Sequence, residues 1–243
     1  MSNSPFATET QIFDDYGDGI QRISVSPFQL LSEGWALVRP QYWLMLGILL
    51  TASFLSGLVP LGIIAGPLMV GVYFCFIDLE CGKIVQFNRL FEGFERFMES
   101  FVAFLIMVGA TLLVYAVAVV VFASAFLVGV AGGEQALPAV FILILGGVLL
   151  LTFLLLFIHL PFLFCFQLIA DRGVDGLESV KLSFKGAWRN SLGILWFSIV
   201  IWFISVLSLF LCGIPMILMM PIFVGAFFRL YRQIYGIPMA API

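Results

Sequence analysis

All eleven lysines and arginines of this chain fall in segments that can lie on one side of a membrane, separated by long uncharged apolar runs. Arg22 and Arg39 precede the first run, and Lys83, Arg89 and Arg96 follow it. Arg172, Lys181, Lys185 and Arg189 stand between the third and fourth runs, and Arg229 and Arg232 close the last. Short loops rich in Lys and Arg stay in the cytoplasm, so the pattern predicts a topology as well as a solvent. With 63% hydrophobic and 10% charged residues, the chain cannot cover itself with a water-soluble surface.

Four stretches carry no Asp, Glu, Lys or Arg: Pro40 to Ile77, Ser100 to Gly133, Gln135 to Ala170 and Asn190 to Phe228. A helix needs only about 20 residues to cross ~30 Å of hydrocarbon, so each run either folds back or tilts. Turn residues decide which. The first run breaks at Gly57-Leu-Val-Pro60-Leu-Gly62 and the last at Cys212-Gly213-Ile214-Pro215, and both read as tight helical hairpins. The second has no proline and reads as one long tilted span. The third also reads as one span, kinked at Pro161.

The expected fold is therefore all-α, a polytopic membrane bundle with six transmembrane helices over residues 42–59, 61–79, 101–130, 138–170, 191–211 and 214–235. Residues 25–236 form the membrane domain, with a tail over 237–243. Residues 1–24 hold Glu9, Asp14, Asp15 and Asp18 against Arg22 among small polar residues, which predicts a disordered acidic arm. The arm lacks the short apolar core of a cleavable signal, so the first span is expected to act as its own insertion signal. Both termini are then cytoplasmic. The formal net charge of -3 gives no case for nucleic acid as a partner.

Three amphipathic interfacial helices are expected on the basic side, over 26–39, 83–99 and 175–189. The first offers Ser26 as N-cap, Pro27 in the first turn and Gln29 to reach back, with Phe28, Leu31, Trp35 and Val38 as its apolar stripe. In the second, Phe87, Leu90, Phe91, Phe94, Phe97 and Met98 recur at three- and four-residue steps, and Glu92 and Arg96 form an i,i+4 pair. In the third, Asp175 and Glu178 read as a capping box. Leu177, Val180, Phe184, Ala187 and Trp188 line one face, and Lys181, Lys185 and Arg189 another.

A local phrase recurs: Leu31-Ser-Glu33-Gly34-Trp35, Leu90-Phe-Glu92-Gly93-Phe94 and Ser183-Phe-Lys185-Gly186-Ala-Trp188. Pro67, Val70, Gly71, Phe74 and Gly82 are matched at the same spacing by Pro221, Val224, Gly225, Phe228 and Gly236. These echoes point to parallel internal repeats, each of one surface helix and two spans, with a pseudo-threefold arrangement open to them. Inverted repeats around a midplane site need an odd number of spans per unit, which this chain does not offer.

The segment Gly66-Pro67 to Gly71, Leu90 to Phe94, the Asp171-Arg172-Gly173 turn leading to Leu182 to Lys185, and Pro221 to Tyr235 resemble a group of bacterial six-helix inner-membrane proteins of unassigned activity. That group is similar to the membrane domain fused to some bacterial glycerophosphodiester phosphodiesterases. The resemblance spans about residues 26–236 and implies a fold and a bacterial inner-membrane location. The resemblance lies in the membrane part and no catalytic barrel is expected, so no phosphodiesterase residue is carried over.

No metal-binding histidine pair, nucleophile elbow or phosphate-binding glycine loop occurs, so neither catalysis nor a cofactor is expected. Tyr16-Gly17-Asp18-Gly19 superficially matches an intramembrane-protease motif but lies in the polar arm and reads as a turn. Asp78 and Glu80 read as interfacial. His159, two positions before Pro161, could sense protons or touch a substrate; the plainer reading is a neutral imidazole on a carbonyl freed by the proline. Lys181, Lys185, Arg189, Arg229 and Arg232 are the candidate lipid-headgroup contacts, although Arg229 and Arg232 equally read as snorkelling anchors.

The expected role is an accessory or scaffold protein that meets membrane lipids, and a membrane-protein partner or a second copy, through its interfacial helices. The alternative is a transporter or channel for an apolar or lipid-like small molecule. Ion coupling is disfavoured, because no carboxylate stands inside an apolar run.

Overall fold

The computed structural model describes residues 20–59, 62–211 and 213–236. The turn residues Pro60 and Cys212, the motif at Tyr16 to Gly19 and the 237–243 tail lie outside them. The described chain is all-helical. In order come α1 (Pro27–Val38), α2 (Tyr42–Leu58), α3 (Ala65–Glu80), α4 (Arg89–Glu92), α5 (Phe97–Gly132), α6 (Leu137–His159), α7 (Cys165–Arg172), α8 (Gly176–Arg189), α9 (Ser191–Leu209) and α10 (Ile214–Tyr235), with short 3-10 turns at Arg39–Gln41, Gly93–Arg96, Gly133–Ala136 and Leu160–Phe162.

Five helical stretches are long and apolar enough to cross a membrane: Pro27–Leu58, Arg89–Gly132, Leu137–Arg172, Ser191–Ser208 and Ile214–Tyr235. This is the signature of a membrane protein. The remaining apolar helix, α3, has 16 residues. It rises roughly 24 Å at 1.5 Å per residue, short of the ~30 Å hydrocarbon layer. It is instead the most enclosed helix, with Leu68, Val70, Val72, Cys75 and Phe76 buried.

Side-chain packing gathers at the charged end of the bundle. Met45 and Ile48 of α2 meet Leu68, Val72 and Phe76 of α3 and Phe228 of α10. Leu30 of α1 shares a second cluster with Phe164, Leu168, Phe197, Tyr231 and Ile234. Val70, Ala103, Cys165 and Ile169 make a third. The ends of α3, α7 and α10 are each followed by a glycine of positive φ, at Gly82 (70°), Gly173 (62°) and Gly236 (72°). That conformation is cheap only without a Cβ.

Several local expectations are corrected. Ser26 and Asp175 do stand at N-cap positions, but neither side chain caps its helix. Gln29 turns forward to Glu33 at 2.8 Å instead of reaching back. The start of α8 is held by close packing, since a Cβ at Gly176 would sit 2.3 Å from the Glu99 carbonyl oxygen.

The segment 83–99 is not one helix: residues 83–86 are non-helical, α4 lasts one turn, and Gly93–Arg96 is 3-10. The cause is contact of backbone on backbone. A Cβ at Gly93 would lie 2.1 Å from the Pro67 carbonyl oxygen, and one at Gly71 would lie 1.8 Å from that of Leu90. Tightening to three residues per turn replaces the expected Glu92–Arg96 pair by i,i+3 pairs, Arg89 with Glu92 and Arg96 with Glu99.

Residues 20–24, expected in the disordered arm, are strapped to the bundle. Gln21 N–H donates to the Ile234 carbonyl at 2.9 Å, and the Asn190 side chain accepts from Ile23 N–H and donates to the Gln21 carbonyl, both at 2.9 Å.

Candidate functional site: a closed charge cluster inside an aromatic ring

The ends of α3, α7 and α10 converge on one buried ion cluster. Arg232 of α10 donates through Nε to Glu80 of α3 at 2.7 Å, and through Nη1 to both carboxylate oxygens of Asp171 of α7 at 2.8 Å. Arg229, one turn earlier, donates to the other Glu80 oxygen at 3.1 Å, and the Tyr231 hydroxyl donates to Asp171 at 2.7 Å. The Arg232 and Asp171 side chains are only 8% and 4% exposed. Phe228 and Tyr231 flank the guanidinium, with ring centroids 5.0 and 5.6 Å away.

Two carboxylates thus face two guanidinium groups, and every carboxylate oxygen is engaged. Desolvation of a buried pair consumes most of its Coulombic gain, so the cluster contributes less to stability than to the choice of which helix ends meet. Its carboxylates offer a ligand no free acceptor, while among the described residues Arg229 Nε is buried without a hydrogen-bond partner. Beside it, Arg89 pairs with Asp78 at 2.8 Å, which ties the α4 turn to α3.

This cluster is what the sequence reading missed. It found no buried charge because it counted apolar runs and left the charges at their ends as interfacial. Arg232, read as a snorkelling anchor or lipid contact, turns inward because two carboxylates end their helices at its level. Arg229 is shared with Glu80. Signals were present: Glu80, Asp171 and Arg232 each stand within a few residues of a helix-ending glycine.

Around this centre the interfacial helices all present the same pair of faces. In α1, Leu30, Gly34 and Leu37 are buried while Phe28 (72%) and Trp35 (43%) are exposed. In the α4 segment (Arg89 to Arg96), Leu90 and Gly93 are buried while Phe91 (45%) and Phe94 (37%) are exposed. In α8, Ser179, Ser183, Gly186 and Ala187 are buried while Leu177 (53%), Phe184 (46%) and Trp188 (52%) are exposed. Each turns a glycine toward the protein, beside leucines in α1 and the α4 segment and beside small residues in α8, and the outward side carries aromatic residues. Exposed aromatic residues flanking basic ones are the pattern of a membrane interface.

Lys181 and Lys185 lie exposed on α8. Arg189 is also exposed but directs Nη1 to the Ile20 carbonyl at 3.1 Å. His159, the last residue of α6, is exposed, and its imidazole makes no hydrogen bond among the described residues. It lines a cavity of about 500 Å³ together with Thr152, Leu155, Trp188, Ser191 and Leu195. The freed-carbonyl reading of His159 is therefore replaced by an imidazole facing open space.

Comparison with protein-family models, with curated proteins and with solved structures gave no match.

Proposed function

We propose that this chain is an integral inner-membrane accessory or scaffold protein: three parallel units of one surface helix and two apolar helices, six crossings in all with the protein-enclosed α3 as the shortest, close about the charge cluster and turn a ring of amphipathic helices toward lipid or a membrane partner. Both termini are on the cytoplasmic side in this reading, which the distribution of Lys and Arg supports. The observation that carries the reading is the shared orientation of α1, the α4 segment and α8, with glycine inward and aromatic residues outward in each. A helix that also exposes Phe and Trp on its outer side gains free energy from them only where that side meets an apolar phase or partner.

The unit structure is supported by repeated contacts. Gly93 packs on Pro67 and Gly71 of α3, and Gly34 packs on Ile222 and Ala226 of α10, one residue along from the matching Pro221 and Gly225. The third joint places α8 against the Pro161 turn, where Phe164 N–H donates to the Ser183 hydroxyl at 3.0 Å. Each surface helix thus rests on the second span of another unit, which links the units in a cycle. Glu80, Asp171 and Arg232 come one from each unit. The resemblance to bacterial six-helix inner-membrane proteins is in keeping with this reading.

The runner-up, transport of an apolar or lipid-like molecule, rests on the cavity beside His159. The two are separated by reconstituting the purified chain in vesicles. Photoreactive residues placed at Phe28, Phe91 and Phe184 form adducts with lipid or with a co-purifying membrane protein if the ring is the working surface. Dequenching of an entrapped lipid-like dye only in protein-containing vesicles, with no adducts at those three positions, sinks the scaffold reading in favour of transport.

A further inference from the structure

The elbow between α1 and α2 encloses an open cavity of about 450 Å³, walled by Trp35, Arg39, Gln41, Tyr42 and Trp43. Much of its polar wall is already engaged. The Gln41 amide bonds the Lys83 carbonyl and Val85 N–H, and the Tyr42 hydroxyl donates to the Leu218 carbonyl of α10. Those bonds fix the Tyr42 ring, which meets Trp35 at 5.5 Å and Trp43 at 5.2 Å, both edge-on.

Arg39 is the exception. Arg89, Arg96, Arg229 and Arg232 each face a carboxylate and Arg189 reaches a carbonyl, whereas the Arg39 guanidinium is exposed and meets no carboxylate, carbonyl or ring among the described residues. The indole N–H groups of Trp35 and Trp43 also make no hydrogen bond among them. No described Asp or Glu lines the cavity, and Glu33 of α1 is turned to Gln29 and Gln233. The side chains left free are thus donors around one positive charge, which calls for an anion with several acceptor oxygens.

Position selects the source of that anion. Arg39 is the last charged residue before a run that stays uncharged to Ile77, and Trp35 and Trp43, both exposed, stand four residues to either side of it. Tryptophans so placed settle at headgroup depth, where the phosphodiester is the acceptor common to phospholipids. We infer that the α1–α2 elbow seats the phosphodiester of one phospholipid of the cytoplasmic leaflet, with Arg39 as the fork that holds it and the indoles of Trp35 and Trp43 as flanking donors. Recognition is of the phosphate and not of the group beyond it, since no second charged side chain among the described residues lines the cavity. The inference rests on the interfacial reading of α1 given above, and it adds to that reading a lipid group and a seat.

The test uses the full chain in a maltoside detergent with a phosphatidylethanolamine that carries a photoreactive group on its head. Adducts are located to the residue by mass spectrometry. Expected are adducts within residues 35–44 that an excess of unlabelled phosphatidylglycerol or phosphatidylcholine removes equally, while diacylglycerol of the same chains and inorganic phosphate at the same concentration do not. Arg39→Gln lowers the labelling by at least about tenfold, the effect of losing hydrogen bonds to a charged group. Arg39→Lys keeps the charge without the fork and restores only part of it. Lys181→Gln, which removes an exposed cation from α8, leaves it unchanged.

Equal labelling of wild type and Arg39→Gln, or displacement by diacylglycerol, overturns the phosphate contact. Displacement by inorganic phosphate makes the elbow a site for a soluble anion and overturns the lipid. If no phospholipid competes and a glutamate-rich peptide does, the occupant is a protein and the inference fails. The wild-type competition pattern decides the matter even if a variant misfolds. Adducts at Phe28 and Phe184 without any at 35–44 overturn this seat alone. Absence of adducts at all three overturns the interfacial reading as well.

Discussion

The charged end of the bundle and the far part of the α5–α6 hairpin solve opposite problems, and the hairpin is the more apolar, with mean hydropathy of 2.7 and 3.1 in its two stretches against 1.8 in Ile214–Tyr235. In the most apolar stretch of Leu137–Arg172 only 6% of residues are buried, and in that of Arg89–Gly132 only 11%, against 33% in Ile214–Tyr235. At the charged end, glycines let backbones touch and ion pairs join three helix ends. Along the hairpin, Leu112, Val119, Phe126 and Phe141 face outward, and two helices meet mainly each other. Lipid tails are as apolar as leucine, so packing side chain on side chain contributes little there that lipid does not. What organises a membrane bundle is shape and polar pairing, and both are concentrated at one end.

The comparison breaks most directly at Arg232. Arg232→Met leaves Glu80 and Asp171 buried and facing each other, with an expected loss of about 3–5 kcal/mol in unfolding from mixed micelles. Adding Asp171→Asn removes the uncompensated charge, because Glu80 keeps Arg229, and should recover most of that loss. If the double variant is as unstable as the single one, the cluster acts by shape and the charge argument fails.

Next in size is Gly93→Ala. Its new Cβ would meet the Pro67 carbonyl oxygen and the Gly71 nitrogen, which are backbone atoms that cannot turn aside. A loss of about 1–3 kcal/mol is expected from overpacking, with a shift of the 3-10 turn that hydrogen exchange at Leu90 to Phe97 would register. A neutral outcome would mean that α4 and α3 are not in backbone contact.

These two sites also show how far the sequence could be read. Long uncharged runs gave the helices, because hydrocarbon admits few other backbones. The recurring glycine at 34, 93 and 186 was visible as a phrase, but its task was not, since a glycine that permits close approach looks like one that merely bends a chain. The same limit governs α8. A period of 3.6 residues identifies an apolar face without saying whether protein or lipid covers it, and Leu177, Phe184 and Trp188 proved to face outward while small residues pack inward. The partners of Arg232 were hidden for a geometric reason: Glu80 and Asp171 are 152 and 61 residues away, and only the folded helix ends bring them together.

A smaller effect is expected at Gln41, which bridges the non-helical 83–86 segment to the α1–α2 joint. Its amide donates to the Lys83 carbonyl at 3.0 Å and accepts from Val85 N–H at 2.9 Å. At about 1 kcal/mol per net hydrogen bond, Gln41→Ala should cost about 1–2 kcal/mol. It should also raise the rate of proteolysis near Ile84, which is 85% exposed. Unchanged proteolysis would show that the segment is fixed by Arg89 and Asp78 instead.

The smallest effect carries the sharpest contrast. Gly109 sits in α5 with nothing within 4 Å of the position a Cβ would take, whereas Gly93 has three backbone atoms there. In a helix interior, replacing glycine by alanine removes conformational freedom from the unfolded chain, so Gly109→Ala should stabilise by about 0.5–1 kcal/mol. The same substitution at two glycines would then have opposite signs within one protein, and only the environment would differ. If Gly109→Ala instead destabilises as Gly93→Ala does, something packs against the hairpin at that level. The two ends of the bundle would then share one mode of packing, and the contrast between them would collapse.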